Sequence, residues 1–119
     1  MYRFILFILL AGILNACNQQ SPSHHFKNAN AKYQLQNYAG AVEDLNRAID
    51  LNSNYKDAYY LRALSFTKMD DPENALKDFN KVIELDPGYA DAYLNRAFYV
   101  KTELGDYRGA IEDYNTYLE

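Results

Sequence analysis

Two short stretches, Asp57-Ala58-Tyr59-Tyr60-Leu61-Arg62-Ala63 and Asp91-Ala92-Tyr93-Leu94-Asn95-Arg96-Ala97, lie 34 residues apart, and this spacing limits the possible folds more than any other feature. A fixed internal period of about 20–50 residues is the mark of repeat architectures, in which one small unit is stacked on the next. A third copy precedes them, with Ala29 one period before Ala63. Later landmarks pair in the same way: Ala41 with Ala75, Asp44 with Asp78, Asn46 with Asn80, Ile49 with Ile83, Tyr55 with Tyr89. The units run about Ser23–Tyr55, Lys56–Tyr89 and Ala90 to Glu119.

Each unit carries two segments of helical periodicity. In the second unit Tyr59, Ala63 and Phe66, then Ala75, Phe79, Val82 and Ile83, recur at spacings of three and four, the apolar stripe of an amphipathic helix. Between the segments stands Asp70-Asp71-Pro72, with Asp71 as N-cap and Pro72 at the first helical position, where a missing N–H costs nothing. Asp86-Pro87-Gly88 ends the second segment because proline cannot continue a helix. Six helices are predicted, about His24–Gln36, Ala39–Leu51, Lys56–Met69, Pro72–Leu85, Ala90–Leu104 and Tyr107–Leu118, and no strands.

The period slips once. Ala41 and Ala75 are 34 residues apart, Ala75 and Ala110 are 35. Leu35 and Met69 follow their alanines by six residues and Leu104 follows Ala97 by seven, which puts the extra residue in the fifth helix. One added residue would rotate a regular helix by roughly 100°. A π-bulge or loosened turn is expected near Val100 to Glu103, with one more loop residue as the alternative.

The pattern resembles the tetratricopeptide repeat family. Small residues stand at the eighth position (Ala29, Ala63, Ala97) and the twentieth (Ala41, Ala75, Ala110), a bulky one at the twenty-fourth (Leu45, Phe79, Tyr114), and Pro87 at the thirty-second, where the first copy has Ser53. The first copy departs from the pattern at His25 and Lys32. The resemblance implies an all-α, right-handed α-solenoid of three helix-turn-helix repeats over residues 24–119, with alanines allowing close helix approach. It also implies a concave groove lined by the first helices. Carried over, the partner-binding positions are Phe26, Asn30, Tyr33 and Gln34 in the first copy, Asp57, Tyr60, Leu64, Thr67 and Lys68 in the second, and Asp91, Leu94 and Phe98 in the third. Large apolar groups with amide and charged groups around them suit a peptide with apolar anchors. The alternative reading of Tyr60, Leu64 and Phe98 is inter-repeat core. One subgroup of the family clamps a terminal carboxylate with basic and amide groups. Here the corresponding positions are Phe26, Asn30, Leu61, Asp91 and Asn95, so only Asn30 fits and Asp91 would repel such a ligand.

The first residues differ in character. Met1-Tyr2-Arg3 precedes an apolar run, Phe4 to Leu14, too short for the about 20 residues a spanning helix needs and suited to an export signal. Leu14-Asn15-Ala16-Cys17 resembles the lipobox of bacterial lipoproteins. It implies removal of residues 1–16, acylation of Cys17 and a polar tether over residues 17–23. Ordinary signal cleavage is the alternative. The expected location is the bacterial cell envelope, lipid-anchored at the outer membrane.

Without Arg3 the chain has 11 basic and 16 acidic residues, a balance that disfavours nucleic acid. Catalytic constellations are not found. His24 and His25 are adjacent and not the i, i+4 pair a helix offers a metal, and Glu43-Asp44 and Glu112-Asp113 read as solvated polar faces. No enzymatic activity and no cofactor is expected. The sixth helix leaves Ile111, Tyr114, Tyr117 and Leu118 on an uncovered face, a candidate for self-association by end-to-end stacking into a homodimer. The expected function is therefore a membrane-anchored protein-binding scaffold. A self-associating element and a small-ligand or glycan carrier are the rivals.

Overall fold

The computed structural model describes residues 20–119; the expected export signal and Cys17 lie outside the described residues. Three helical hairpins follow one another: α1 (Pro22–Gln34) with α2 (Tyr38–Leu51), α3 (Lys56–Lys68) with α4 (Pro72–Leu85), and a composite first helix with α6 (Tyr107–Leu118). The composite helix begins as α5 (Ala90–Asn95) and continues as a π-helix over Arg96–Lys101. Among the described residues there is no strand. The fold is the α-solenoid expected; the first helix is displaced by two residues, starting at Pro22 because Ser21 caps it by accepting from the His24 N–H at 3.1 Å, and the fifth ends at Lys101, three residues before the expected Leu104.

One turn is built three times. The N–H groups of Asn37, Asp71 and Asp106 donate to the carbonyls of Lys32, Phe66 and Lys101 at 2.8, 3.0 and 2.8 Å, the six-to-one bond of a Schellman helix end. The residue before each has positive φ: Gln36 at 61°, Asp70 at 54° and Gly105 at 74°. Asn37, Asp71 and Asp106 then cap the second helices by accepting from Gly40, Asn74 and Gly109.

The repeating alanines make the core. Ala29, Ala41, Ala63, Ala75 and Ala97 are fully buried, and Ala110 nearly so. Around them pack two continuous clusters, one of Leu45, Ala48, Ala58 and Leu61 between the first units, the other of Tyr59, Phe79, Val82, Ala92 and Val100 between the second and third. Side chains this small let helix axes approach closely, and the large residues of the next unit fill the remaining space.

The charged pairs correct the sequence reading. Glu43 and Glu112 are exposed, but Asp44, Asp78 and Asp113 are only 3–4% exposed and are not part of a solvated face. Arg62 Nε and Nη2 donate to both oxygens of Asp78 at 2.7 and 2.8 Å, while its Nη1 donates to Asn46 of the preceding unit at 2.8 Å. Arg96 does the same with Asp113 at 2.7 and 2.6 Å and with Asn80 at 2.7 Å. Each arginine thus joins three helices from two units. Each also sits 5.5 Å from the ring of the preceding tyrosine, Tyr59 or Tyr93, whose hydroxyl donates to the Ser53 or Pro87 carbonyl. The first unit has Asn28 where the others have arginine, and Lys32 supplies the cation instead, 2.7 Å from Asp44. His25 is partly packed, with Nδ1 4.0 Å from the same carboxylate.

The extra residue is taken up by the π-helix, which begins four residues before the stretch expected from the position of Leu104. Tyr99 occupies the place of Ser65, a fully buried side chain whose hydroxyl donates to the Leu61 carbonyl. A tyrosine cannot enter that space. The wider winding turns it outward, to 43% exposure, and by Lys101 the register is restored, since Lys101 approaches Asp113 to 3.2 Å over the same twelve residues that separate Lys32 from Asp44.

Two outcomes are expected. Arg62→Ala leaves the Asp78 carboxylate buried without its cation and costs about 3 kcal/mol or more in urea unfolding, whereas Asn46→Ala, whose amide water can replace, costs under about 1.5 kcal/mol; equal costs would show that the clamp does not centre on Asp78. Deleting Tyr99 restores the 34-residue spacing, so amide chemical shifts from Arg96 to Lys101 become those of a regular α-helix while the Lys101–Asp113 contact persists.

Candidate functional site

The first helices carry most of the groove positions, and the structure sorts them into two kinds. Phe26 and Tyr60 are partly buried and stacked on the tyrosine that ends each unit, with centroids 5.2 Å from Tyr55 and 5.0 Å from Tyr89. Tyr60 also meets Phe79 edge-on at 6.1 Å, and its hydroxyl accepts from the Asn95 side-chain amide at 2.6 Å. These aromatics hold neighbouring units together as well as lining the surface. Asn30, Gln34, Asp57, Lys68 and Asp91 are exposed, Leu64, Thr67, Leu94 and Tyr33 partly so, and Phe98 is 58% exposed.

Some of these groups lie near enough to act on one another electrostatically. Burial first, then the Asp91 carboxylate and the Tyr89 and Tyr33 hydroxyls, push the Tyr60 phenol up to about 12, with the Asn95 hydrogen bond pulling it back. Tyr33 is raised by burial and by Tyr38 and Tyr99. Tyr33, Tyr60 and Tyr99, one from each unit, therefore lie near enough for one hydroxyl to raise the next. Lys56, beside this surface, is committed to Asp86 at 2.7 Å, and the hydrogen bond raises the amine and lowers the carboxyl.

The part that sequence reasoning missed lies at the π-helix. Phe98 and Tyr99 form an edge-to-face pair, centroids 4.7 Å apart, and border a cleft of about 550 Å³ with Thr67, Asp70, Thr102, Glu103 and Tyr114. A smaller lobe of about 160 Å³ continues over Asp71 and Pro72. The extra residue was the signal for it, because helices wound this way frequently mark functional places.

The self-association candidates are placed together on α6. Ile111, Tyr117 and Leu118 are exposed, while Tyr114 is partly buried and borders the cleft. Among the described residues no group of His, Cys, Asp and Glu is arranged to hold a metal ion, and no helix is long and apolar enough to cross a membrane.

Family comparison matches residues 57–89 to the tetratricopeptide repeat and residues 29–70 to a further TPR repeat description. The chain carries tetratricopeptide repeats. Among solved structures, MamA aligns with a TM-score of 0.80 at 26% identity over 84% of this chain, which spans 58% of the MamA chain. The second TPR of Spaghetti (RPAP3), bound to the HSP90 peptide SRMEEVD, aligns with a TM-score of 0.80 at 28% identity, covering 85% of this chain and 93% of that one. The Arabidopsis OM64 TPR domain aligns with a TM-score of 0.78 at 28% identity, covering 82% and 79% of the two chains. Comparison with curated proteins gives no significant match. The tetratricopeptide fold is that of a protein–protein interaction module, and the third repeat, which neither family description reaches, is supplied by the structure.

The Tyr60 phenol gives a direct check of this geometry. A folded value above the ordinary one means its contribution to stability is complete below about pH 10 and is lost as pH rises toward 12. In an ultraviolet titration, the difference between the parent chain and Tyr60→Phe should show one phenol ionising near 12; a difference centred near 10 would place the hydroxyl in open solvent.

Proposed function

We propose that the chain binds a peptide segment of a partner protein in the concave groove and performs no chemistry of its own. The observation that carries this reading is the exposed Phe98, with partly buried Leu64 and Leu94 at other groove positions, on first helices whose remaining groove positions include amide and charged groups. An apolar anchor within a polar rim is the common anatomy of a peptide site. A neighbouring structure holds the acidic peptide SRMEEVD. Such a ligand does not suit this groove, where Asp57 and Asp91 are exposed, Leu61 is buried and Asn95 is already bonded to Tyr60. Preferred partners are apolar and neutral to basic.

The second part of the proposal is that Cys17, following an apolar segment that resembles a lipoprotein signal, carries the lipid that holds this module on a bacterial envelope membrane. Acyl burial contributes about 0.8 kcal/mol per CH₂, so more than one chain is enough for stable attachment. The apolar face of α6 favours a second reading, assembly of the chain with itself through Ile111, Tyr117 and Leu118.

A displayed random-peptide library selected on the full chain tests the groove. Enriched peptides should bind at least tenfold more weakly to Phe98→Ala and to Leu64→Lys, at unchanged helicity, and should not be enriched in acidic C-termini. Peptides insensitive to both substitutions, or mass that doubles with concentration and falls back with Leu118→Lys, would transfer the function to α6. For the anchor, Cys17→Ser should move the protein from the membrane fraction to the soluble one; an unchanged distribution rejects lipidation.

A further inference from the structure

The cleft beside the π-helix has a chemistry of its own. Its two lobes share Thr67, Asp70, Tyr99 and Glu103. Asp71, in the smaller lobe, is engaged as the cap of α4 and with the Asn74 side chain at 2.7 Å, but Asp70 and Glu103 enter no ion pair among the described residues. No lysine, arginine or histidine lines either lobe. Of the nearby cations, Lys101 is committed to Asp113 and the Gly109 carbonyl and Arg96 to Asp113 and Asn80, while exposed Lys68, two residues before Asp70, lines neither lobe. Three aromatic rings, Phe98, Tyr99 and Tyr114, and two carboxylates that form no ion pair are thus held open together.

The geometry points to a binding site for the arginine side chain of a partner peptide, with the guanidinium against Tyr99 and Phe98 and its N–H groups directed to Asp70 and Glu103. An anion is excluded by the two carboxylates. A purely apolar group would leave them desolvated without compensation, at a cost of several kcal/mol for a charge that loses water and gains no partner. A planar cation satisfies both halves of the cleft, since guanidinium stacks on aromatic faces and donates in a fork that matches carboxylates. The two threonines leave the carboxylates free for it, because each is turned back on its own helix: Thr67 donates to the Leu64 carbonyl at 2.6 Å and Thr102 to the Ala97 carbonyl at 2.8 Å.

The site exists because of the extra residue. In the second unit the place of Tyr99 is taken by buried Ser65, and a regular helix would present no aromatic there. The inference rests on the groove reading and adds to it the charge of the ligand: an apolar anchor near Leu64 and Leu94, followed by an arginine that reaches the π-helix.

The test is a nuclear magnetic resonance titration of the full 15N-labelled chain with N-acetyl-arginine methylamide, and separately with its uncharged citrulline counterpart. Saturable shifts at Thr67, Asp70, Tyr99, Thr102 and Glu103 are expected with arginine and at least tenfold weaker binding with citrulline. Binding should fall at least fivefold in Asp70→Asn with Glu103→Gln, a pair of near-isosteric changes in which asparagine tolerates the positive φ of residue 70, and should weaken as salt is raised. Equal response to citrulline, shifts elsewhere, or no saturable shifts in a chain whose spectrum is that of the folded stack would overturn the proposal. If library-selected peptides still bind through Phe98 and Leu64 in that event, the cleft assignment alone is wrong; if they too fail, the groove reading falls with it.

Discussion

Everything in this stack depends on two arginines that are each shared by three helices. A buried carboxylate is costly unless its charge is met by a cation in good geometry with its remaining lone pairs satisfied. Asp78 meets that condition through Arg62 and Asp113 through Arg96 with Lys101 beside it, each arginine lying between the helices of one unit, and in that position the free edge of the guanidinium reaches the asparagine of the unit before. The pair therefore fixes the angle within a repeat and the register between repeats in one arrangement. Alanine at the following position, Ala63 or Ala97, lets the backbones come close enough for it. The first unit has Asn28 in place of the arginine, and there Lys32 neutralises Asp44 from within the same hairpin.

On that frame the concave face is free to vary. Letters shared by the two seven-residue stretches, Tyr59 with Tyr93, Arg62 with Arg96 and Ala63 with Ala97, all belong to the packing between helices. Of the letters that differ, Tyr60 with Leu94 and Leu61 with Asn95, two meet across the interface instead, where the Asn95 amide donates to the Tyr60 hydroxyl. An aromatic in the groove is thus also a joint between units, and Leu64 too packs against the core between the second and third units, whereas Phe98, further along the first helix of the third, is exposed.

Much of the fold was legible because helix packing needs small residues at set intervals, and alanines at set intervals are visible in the letters. The slipped period and the helix that absorbs it were visible for the same reason, but not where the wider winding begins: Leu104 marks only where the shift is complete, and the cause is the bulk of Tyr99 at a position where Ser65 fits in the core. The aspartates were misread because Asp44 and Asp113 follow exposed glutamates, and a pair of acids looks like a solvated face. A better signal stood nearby in Arg62 and Arg96, each preceding an aspartate by about one hairpin. The cleft was out of reach, since it combines the end of α3, the turn after it and a helix wound in a way the sequence only hinted at.

The sharing of each arginine also decides how the molecule comes apart. In a linear array, stability divides into what a unit holds by itself and what it gains from its neighbour. Here the first helices α3 and α5 start without a side-chain cap of their own, and the tyrosine hydroxyls that secure their first turns, Tyr59 and Tyr93, are bonded to carbonyls at the end of the preceding unit. A large part of each hairpin's stability is therefore borrowed. Melting of one unit withdraws partners from the next, so the three open together as a cooperative block, and a ligand seated on the third is felt as slowed amide exchange in the first.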